Sequence, residues 1–377
     1  MDPYVSRADI AARPAPAREQ TMLSRLRGDY FFSISAICQT VVLFVMVATA
    51  AILLFRWGVL HAVFAGDGAA SASEACRVAH GACWAVIGDK LRLILFGVYP
   101  FEEQWRPAIA SILMVCLYGL SVQRALWRML LFWLWLGVLT IVGVLMWGGV
   151  LGLRYVPDSE WGGLPITLIL STFGLALAFP LAVLLALARQ ADNIPILQTP
   201  AVVFIEFARG IPLLVVLFMA SVMLPLFLPP GIEISKLLRV LIAFALFAAA
   251  YLAEVIRGGL QAIPIGQYEA ATALSLGYWR RMYWVILPQA LTIVIPGIVN
   301  IFIGFFKATS IVVVVGIFDL MTAAKRAVAD PLWQGFGIEV YLFAGLIYFV
   351  FCFSLSRYSA GLERHLDRGE RQRATVS

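Results

Sequence analysis

The chain has 377 residues, of which 62% are hydrophobic and 13% charged, and its mean hydropathy is +0.90. A water-soluble domain carries about 25% charged residues, so a soluble fold is excluded and the sequence reads as an all-α polytopic membrane protein. The formal charge of +6 is not gathered on an aromatic-studded face, which excludes nucleic-acid binding and assigns the excess cation to a cytoplasmic membrane surface.

Residues 1–30 are polar and carry Arg7, Arg13, Arg18, Arg25 and Arg27. No short apolar core with a small-residue cleavage site precedes the first long apolar run, so they read as a retained cytoplasmic tail. A bilayer core about 30 Å thick takes roughly 20 apolar residues of helix. That length places about eight transmembrane helices, near 31–55, 107–123, 127–150, 164–187, 209–228, 238–256, 285–306 and 338–357. Leu91–Pro100 reads as an interfacial helix. The organisation is then a cytoplasmic tail 1–30, a membrane extension 31–163 with a periplasmic loop 57–106, a core 164–365, and a cytoplasmic tail 366–377. In this topology Arg124, Arg128, Arg189, Arg257, Arg280 and Arg281 fall inside, while Asp158, Glu160, Asp319 and Asp330 fall outside, as the positive-inside rule requires. Arg77, Lys90, Arg92 and Arg106 go against it, but long loops translocate despite such charge. Lys307, Lys325 and Arg326 weaken the bias over 307–337.

Several chemistries are missing. No GxxxxGK[ST] run exists, so the chain has no P-loop of its own. The three histidines, His61, His80 and His365, share no helical spacing on one span, which argues against haem and metal sites. No GxSxG nucleophile motif is present. The expectation is no enzyme, no metal and no cofactor in this chain. Charge within the spans is scarce, which disfavours the alternative of a proton-coupled secondary amino-acid carrier. Cys38, Cys116 and Cys352 sit in apolar runs and read as packing residues. Cys76 and Cys83 lie in a polar segment; they form a disulfide if that loop is periplasmic and are otherwise two unpaired thiols.

A short pattern occurs twice: Glu206-Phe207-Ala208-Arg209-Gly210 and Glu254-Val255-Ile256-Arg257-Gly258. Each sets Glu and Arg at i, i+3 on one helix face. They read as structural ion pairs at the cytoplasmic boundary, either snorkelling there or bracing the loop 257–284. In that loop Pro264 starts a helix and Glu269 suits its N-terminal dipole. Ala270, Ala273, Leu274 and Gly277 line up as a small-residue face, and Ser275 and Gly277 end the helix. Residues alone also allow an amphipathic helix lying on lipid headgroups.

The run Gly266-Gln267-Tyr268-Glu269-Ala270-Ala271, with Leu287-Pro288-Gln289-Ala290 beyond it, resembles the coupling loop of permeases of polar amino-acid ABC importers. Arg209-Gly210-Ile211-Pro212-Leu213-Leu214, Ala253–Gly259 and Pro296-Gly297-Ile298-Val299-Asn300 are similar to that family as well, so the likeness covers about 164–365. Gly81-Ala82-Cys83-Trp84 and Tyr99–Pro107 look like the enlarged permeases of general L-amino-acid importers. The resemblance implies a type I ABC importer transmembrane fold in the bacterial inner membrane. It also implies a homologous second permease, two cytoplasmic ATPase subunits that carry ATP and Mg, and a periplasmic amino-acid-binding protein. Glu269, Ala270, Ala271, Leu274 and Gly277 would couple to the ATPase, and Asn300, Lys307, Thr309 and Ser310 would line the path beside carbonyls freed at Pro288 and Pro296. Two positions depart from the family. Its glycine after the EAA triplet is Ser275 here, with Gly277 two residues later, which suggests a hinge either shifted or stiffer, and the acid of its Lys-Asp-Thr-Ser run is Ala308.

Overall fold

Among the described residues the named elements of the computed structural model are helical, and an isolated parallel bridge joins Gly163 to Asp319. The structure describes residues 33–123, 129–191 and 194–374; the expected tail 1–30 and the Arg124/Arg128 pair lie outside them. The α-helices in chain order are α1 (Ile34–Phe55), α2 (Ala69–Val78), α3 (Ala85–Phe96), α4 (Trp105–Val122), α5 (Met129–Trp147), α6 (Leu164–Arg189) and α7 (Pro195–Gly210). Next come α8 (Leu213–Phe218), α9 (Lys236–Gln261), α10 (Ile265–Ala273), α11 (Tyr278–Arg281), α12 (Leu287–Ala308), α13 (Leu320–Val328) and α14 (Gly337–Ala374). Among the described residues seven helical stretches are long and apolar enough to cross a membrane, or eight if α7 and the segment after it count as one broken span.

That broken pair differs from the continuous span expected at 209–228. Helix α7 ends at Gly210 and the chain bends by 102° before α8. The reason is local: Pro212 drives Ile211 into an extended conformation (φ −101°, ψ 139°), because the residue before proline is excluded from the helical region. Glu206–Gly210 therefore closes α7 rather than opening a span. At the other extreme, α14 runs to Ala374 and takes in most of the segment expected as a solvated tail.

Two compact units are present, residues 1–63 with 76–82 and residues 64–75 with 83–377. In the first, α1 has no buried residue, as befits an apolar helix whose solvent is lipid. It continues into a π-helical turn, after which Ala82 N–H donates to Trp57 O and Val63 N–H donates to Ala82 O, both at 2.8 Å. Cys76 and Cys83 are disulfide-bonded, and Cys38, Cys116 and Cys352 are free.

The second unit is built around α6 and α9, which pack along each other's length. Gly174, Ala178, Ala182 and Ala186 recur every four residues on α6, and the three alanines are fully buried; so are Ala248, Ala249, Ala250 and Ala253 on α9. Lipid tails are as apolar as leucine, so association in a membrane relies on close van der Waals contact, and small residues let the backbones approach. Helix α12 crosses α9 just as closely. A Cβ on Gly259 would sit 2.5 Å from Val294 Cγ1 and 2.8 Å from the Ala290 carbonyl oxygen. Helices α7, α8, α4 and α14 flank this centre.

Candidate functional site

The loop expected at 257–284 is a helix–turn–helix hung beneath α9 and α12. Helix α10 begins after Pro264, in extended conformation at the N-cap. It ends in two hydrogen bonds, Ser275 N–H to Thr272 O (2.8 Å) and Leu276 N–H to Ala271 O (3.1 Å). That pair is a Schellman closure, which demands a left-handed residue between them. Ser275 fills that position at φ +56°, whereas Gly277 is an ordinary extended N-cap at φ −59°. Of the two alternatives, a shifted or a stiffer hinge, the shift falls away: the turn stays at 275, and serine takes the strain that a glycine would escape.

One face of α10 is held and the other is bare. Ala271 is buried, the Tyr268 hydroxyl donates to Leu260 O at 3.2 Å, and the Gln289 amide donates to the Gln267 side chain at 3.2 Å, bridging α10 to α12. Burial pushes the Tyr268 phenol above its ordinary pKa, with the Arg281 charge acting the other way. Glu269, Ala270, Ala273 and Gly277 are exposed, and Leu274 is 75% exposed. Helix α11 then runs through a π turn into α12. Pro288 follows that π turn inside a continuous helical stretch, Tyr278–Val315, and Pro296 lies further along α12, so each lacks the N–H that would bond to the preceding turn.

The charged residues at this end share one acid. Glu254 meets Arg257 at 2.8 Å, Arg189 at 2.7 Å and Arg209 at 3.6 Å, and Glu206 meets Arg189 at 2.8 Å. Glu254 and Arg257 pair at the i, i+3 spacing. Glu206 does not pair with Arg209, although both lie on α7 three residues apart: Arg209 reaches Glu254 on α9 and Glu206 reaches Arg189 at the end of α6. Arg189 joins all this from far upstream; no spacing in the sequence announces it.

Helix α12 rises about 1.5 Å per residue, so its 22 residues reach across the apolar layer. Asn300, Gly304 and Lys307 succeed one another at four and three residues and are exposed on one face. Thr309 and Ser310 do not join them. Thr309 is fully buried and its hydroxyl donates to Phe306 O at 2.7 Å, and the Ser310 hydroxyl donates to Lys307 O at 2.8 Å. Beyond Ala308 the chain tightens into a 3-10 turn, and short hydroxyl side chains there bond back to the preceding carbonyls.

A second polar cluster, which no motif in the sequence marks, lies at the end of the unit where α12 finishes. Trp333 is fully buried and its indole N–H donates to Asp89 at 2.7 Å. Lys90 bridges Asp89 (3.1 Å) and Asp330 (2.7 Å). Glu339 accepts the Cys83 N–H at 2.9 Å, and Asp319 caps α13 by accepting from Met321 and Thr322 N–H. Burial raises the Asp319 carboxyl above its usual range, against the pull of those bonds. The Gly163 N–H donates to Phe318 O at 2.7 Å; with φ +70° and a Leu95 carbonyl 2.2 Å from any Cβ, only glycine fits there. Arg106 is fully buried and donates to Leu145 O and Arg154 O.

The α10 helix–turn–helix lies inside residues 178–368, which match the family described as binding-protein-dependent transport system inner membrane component. The chain belongs to that family. It is a multi-pass inner-membrane permease subunit of the ABC transporter class, and a membrane permease is not itself a catalyst. It is 46% identical over 324 residues to the inner membrane amino-acid ABC transporter permease protein YhdY of Escherichia coli, covering 84% of this chain and 85% of the relative. It is 37% identical to the glutamate/glutamine/aspartate/asparagine transport system permease protein BztC of Rhodobacter capsulatus, covering 98% of this chain and 99% of the relative. A solved amino acid ABC transporter with histidines is 33% identical, with a TM-score of 0.48, covering 54% of this chain and 92% of that one. The secondary-carrier alternative falls away.

Proposed function

We propose that this permease is the translocating subunit of an ATP-driven importer of L-amino acids, the substrate class named for its two long relatives. In this reading it pairs with a homologous permease. Two ATPase subunits hold ATP and Mg and carry out hydrolysis on the cytoplasmic side, and a periplasmic binding protein delivers the amino acid. The observation that carries the reading is the bare face of α10: Glu269, Ala270 and Ala273 stand free on a helix whose opposite face is fixed to α9 and α12, and Leu274 and Gly277 are exposed in the turn beyond it.

The α10 end faces the cytoplasm in this reading. Arg189, Arg209, Arg257, Arg280 and Arg281 gather there around two glutamates, which suits the positive-inside rule. An ATPase that closes on ATP moves α10 as a rigid lever. The Tyr268–Leu260 and Gln267–Gln289 bonds pass that motion to α9 and α12, and two packed arrangements of the spans alternate. The exposed face of α12 borders the path. Asn300 offers an amide, and Lys307 offers a mobile point charge for the substrate carboxylate.

The test is reconstitution with the partner subunits and saturating binding protein. Gly277→Trp adds bulk to the face offered to the ATPase at a position where a Cβ meets nothing within 4 Å. The expected outcome is hydrolysis uncoupled from uptake, with normal membrane insertion. Uptake by Gly277→Trp at the unmodified rate would sink the coupling role.

A further inference from the structure

A cavity of about 440 Å³ opens between the lower ends of α6 and α9 and the α10–α11 turn. Its walls include three guanidiniums, Arg189, Arg257 and Arg281, with Gln261, Tyr268 and Tyr278 beside them. The acids nearby do not balance this charge. Glu206 and Glu254 face Arg189, Arg209 and Arg257, which leaves one cation over, and Arg281 has no ion pair among the described residues. Arg281 does donate from Nη1 to Thr272 Oγ1 at 2.9 Å, but its Nε is buried with no hydrogen-bond partner. A buried guanidinium N–H without an acceptor is expensive, and phosphate is the acceptor that arginine's planar fork fits.

The setting says which phosphate. Trp279, Tyr283 and Trp284 stand directly beside Arg281 in the chain and are exposed, Trp284 to 72%. Exposed Trp and Tyr at the end of an apolar helix mark headgroup depth, and basic pockets between spans at the cytoplasmic surface suit anionic headgroups. We propose that this cavity seats the phosphate of an anionic phospholipid headgroup, with Arg281 as its ion-pair partner and the flanking aromatics against the glycerol and upper chains. Since Thr272 on α10 holds Arg281, an occupied site ties the headgroup layer to the helix–turn–helix that the transport reading assigns to coupling.

The test uses the assembled transporter, delipidated in mild detergent, and native mass spectrometry with short-chain phosphatidylglycerol, phosphatidylcholine and inorganic phosphate as probes. Phosphatidylglycerol should bind and phosphatidylcholine should not. Arg281→Gln should weaken phosphatidylglycerol binding about tenfold, the loss of one charge-assisted contact. Gln261→Glu, at an exposed helix end that tolerates substitution, should weaken it as much by placing a carboxylate at the cavity wall. Trp279→Ala with Trp284→Ala should weaken the lipid and leave inorganic phosphate unaffected. Equal phosphatidylglycerol affinity in the unmodified protein, Arg281→Gln and Gln261→Glu would overturn the site. Inorganic phosphate that binds with the same Arg281 dependence, while lipid binding ignores the two tryptophans, would overturn the lipid as its occupant.

Discussion

The two ends of the core unit carry polar residues in opposite ways. Where α3, α13 and the start of α14 meet, polar groups satisfy one another: Trp333 with Asp89, Lys90 with Asp330, Glu339 with the Cys83 N–H. At the α10 end, Glu269 and Leu274 are bare, Ser275 is held left-handed, and Arg281 keeps an unmet N–H. Buried polar groups left unpaired are costly, and each end has such a group, Arg281 Nε here and Arg106 Nη2 at the other. The difference lies at the surface: one end is closed on itself, whereas the end that leaves small faces and strain exposed is built to be completed by something else.

The sharpest way to break that contrast is to cut each end and read stability. Trp333→Ala removes a fully buried indole and its hydrogen bond to Asp89, and should destabilise by about 3–5 kcal/mol. Leu274→Ala, at the exposed turn, should change stability by no more than about 0.5 kcal/mol. Thermal unfolding of the detergent-purified permease measures both. A larger loss for Leu274→Ala than for Trp333→Ala would reverse the assignment of the two ends.

A smaller effect separates the ends by pH. Hydrogen bonding to Lys90 holds the Asp330 carboxyl below its usual range. Burial would lower the Lys90 ammonium, but Asp330 and Asp89 outweigh it and raise it. A depressed carboxyl contributes stability above its unfolded pKa, about 3.9, and loses it as pH falls through the folded value. A raised ammonium contributes below its unfolded pKa, about 10.4, and loses it as pH rises through the folded value. The bridge is therefore intact across neutral pH. Asp330→Asn keeps the oxygen that accepts the Leu332 N–H and removes the charge. Its melting temperature should fall less steeply than that of the unmodified protein on acidification below about pH 4. Parallel acid limbs for the two proteins would remove the bridge from the closed end's stability.

The smallest expected change lies at the strained turn. Serine in the left-handed region costs about 1–2 kcal/mol, and glycine there gives back about 0.5–1 kcal/mol through its unfolded-chain freedom. Ser275→Gly should then stabilise by roughly 0.5 kcal/mol, the difference between those two effects, seen as a small rise in melting temperature. A drop would mean that the serine side chain supports the turn.

Much of the architecture was legible from local quantities. Apolar length located the spans, since a bilayer of fixed thickness admits few alternatives. Pro264 and the Gly266–Ala271 run placed the short helix between spans, because capping and turn chemistry act over a few residues. Glu254 and Arg257 sit at a spacing that helix geometry alone makes neighbours. Pattern misled where neighbours along the chain were assumed to be partners. Glu206 sits three residues from Arg209 but pairs with Arg189, since α6 and α9 bring Arg189 and Glu254 within reach of the two side chains. Thr309 and Ser310 looked available, yet the 3-10 turn at the end of α12 directs both hydroxyls onto backbone oxygens.

What only the tertiary structure decided is which distant groups meet. Asp89 and Trp333 lie 244 residues apart and share a hydrogen bond, and Arg189, Arg209 and Arg257 converge on one carboxylate from three helices. The sequence determined by itself the membrane class, the spans other than the broken one at 209–228, and the kinship, all read from composition, length and short motifs. The convergence depends on how closely α6, α9 and α12 pack. That is set by alanines and glycines whose role is to have no side chain in the way, and an alanine carries no mark in the sequence of what it will face.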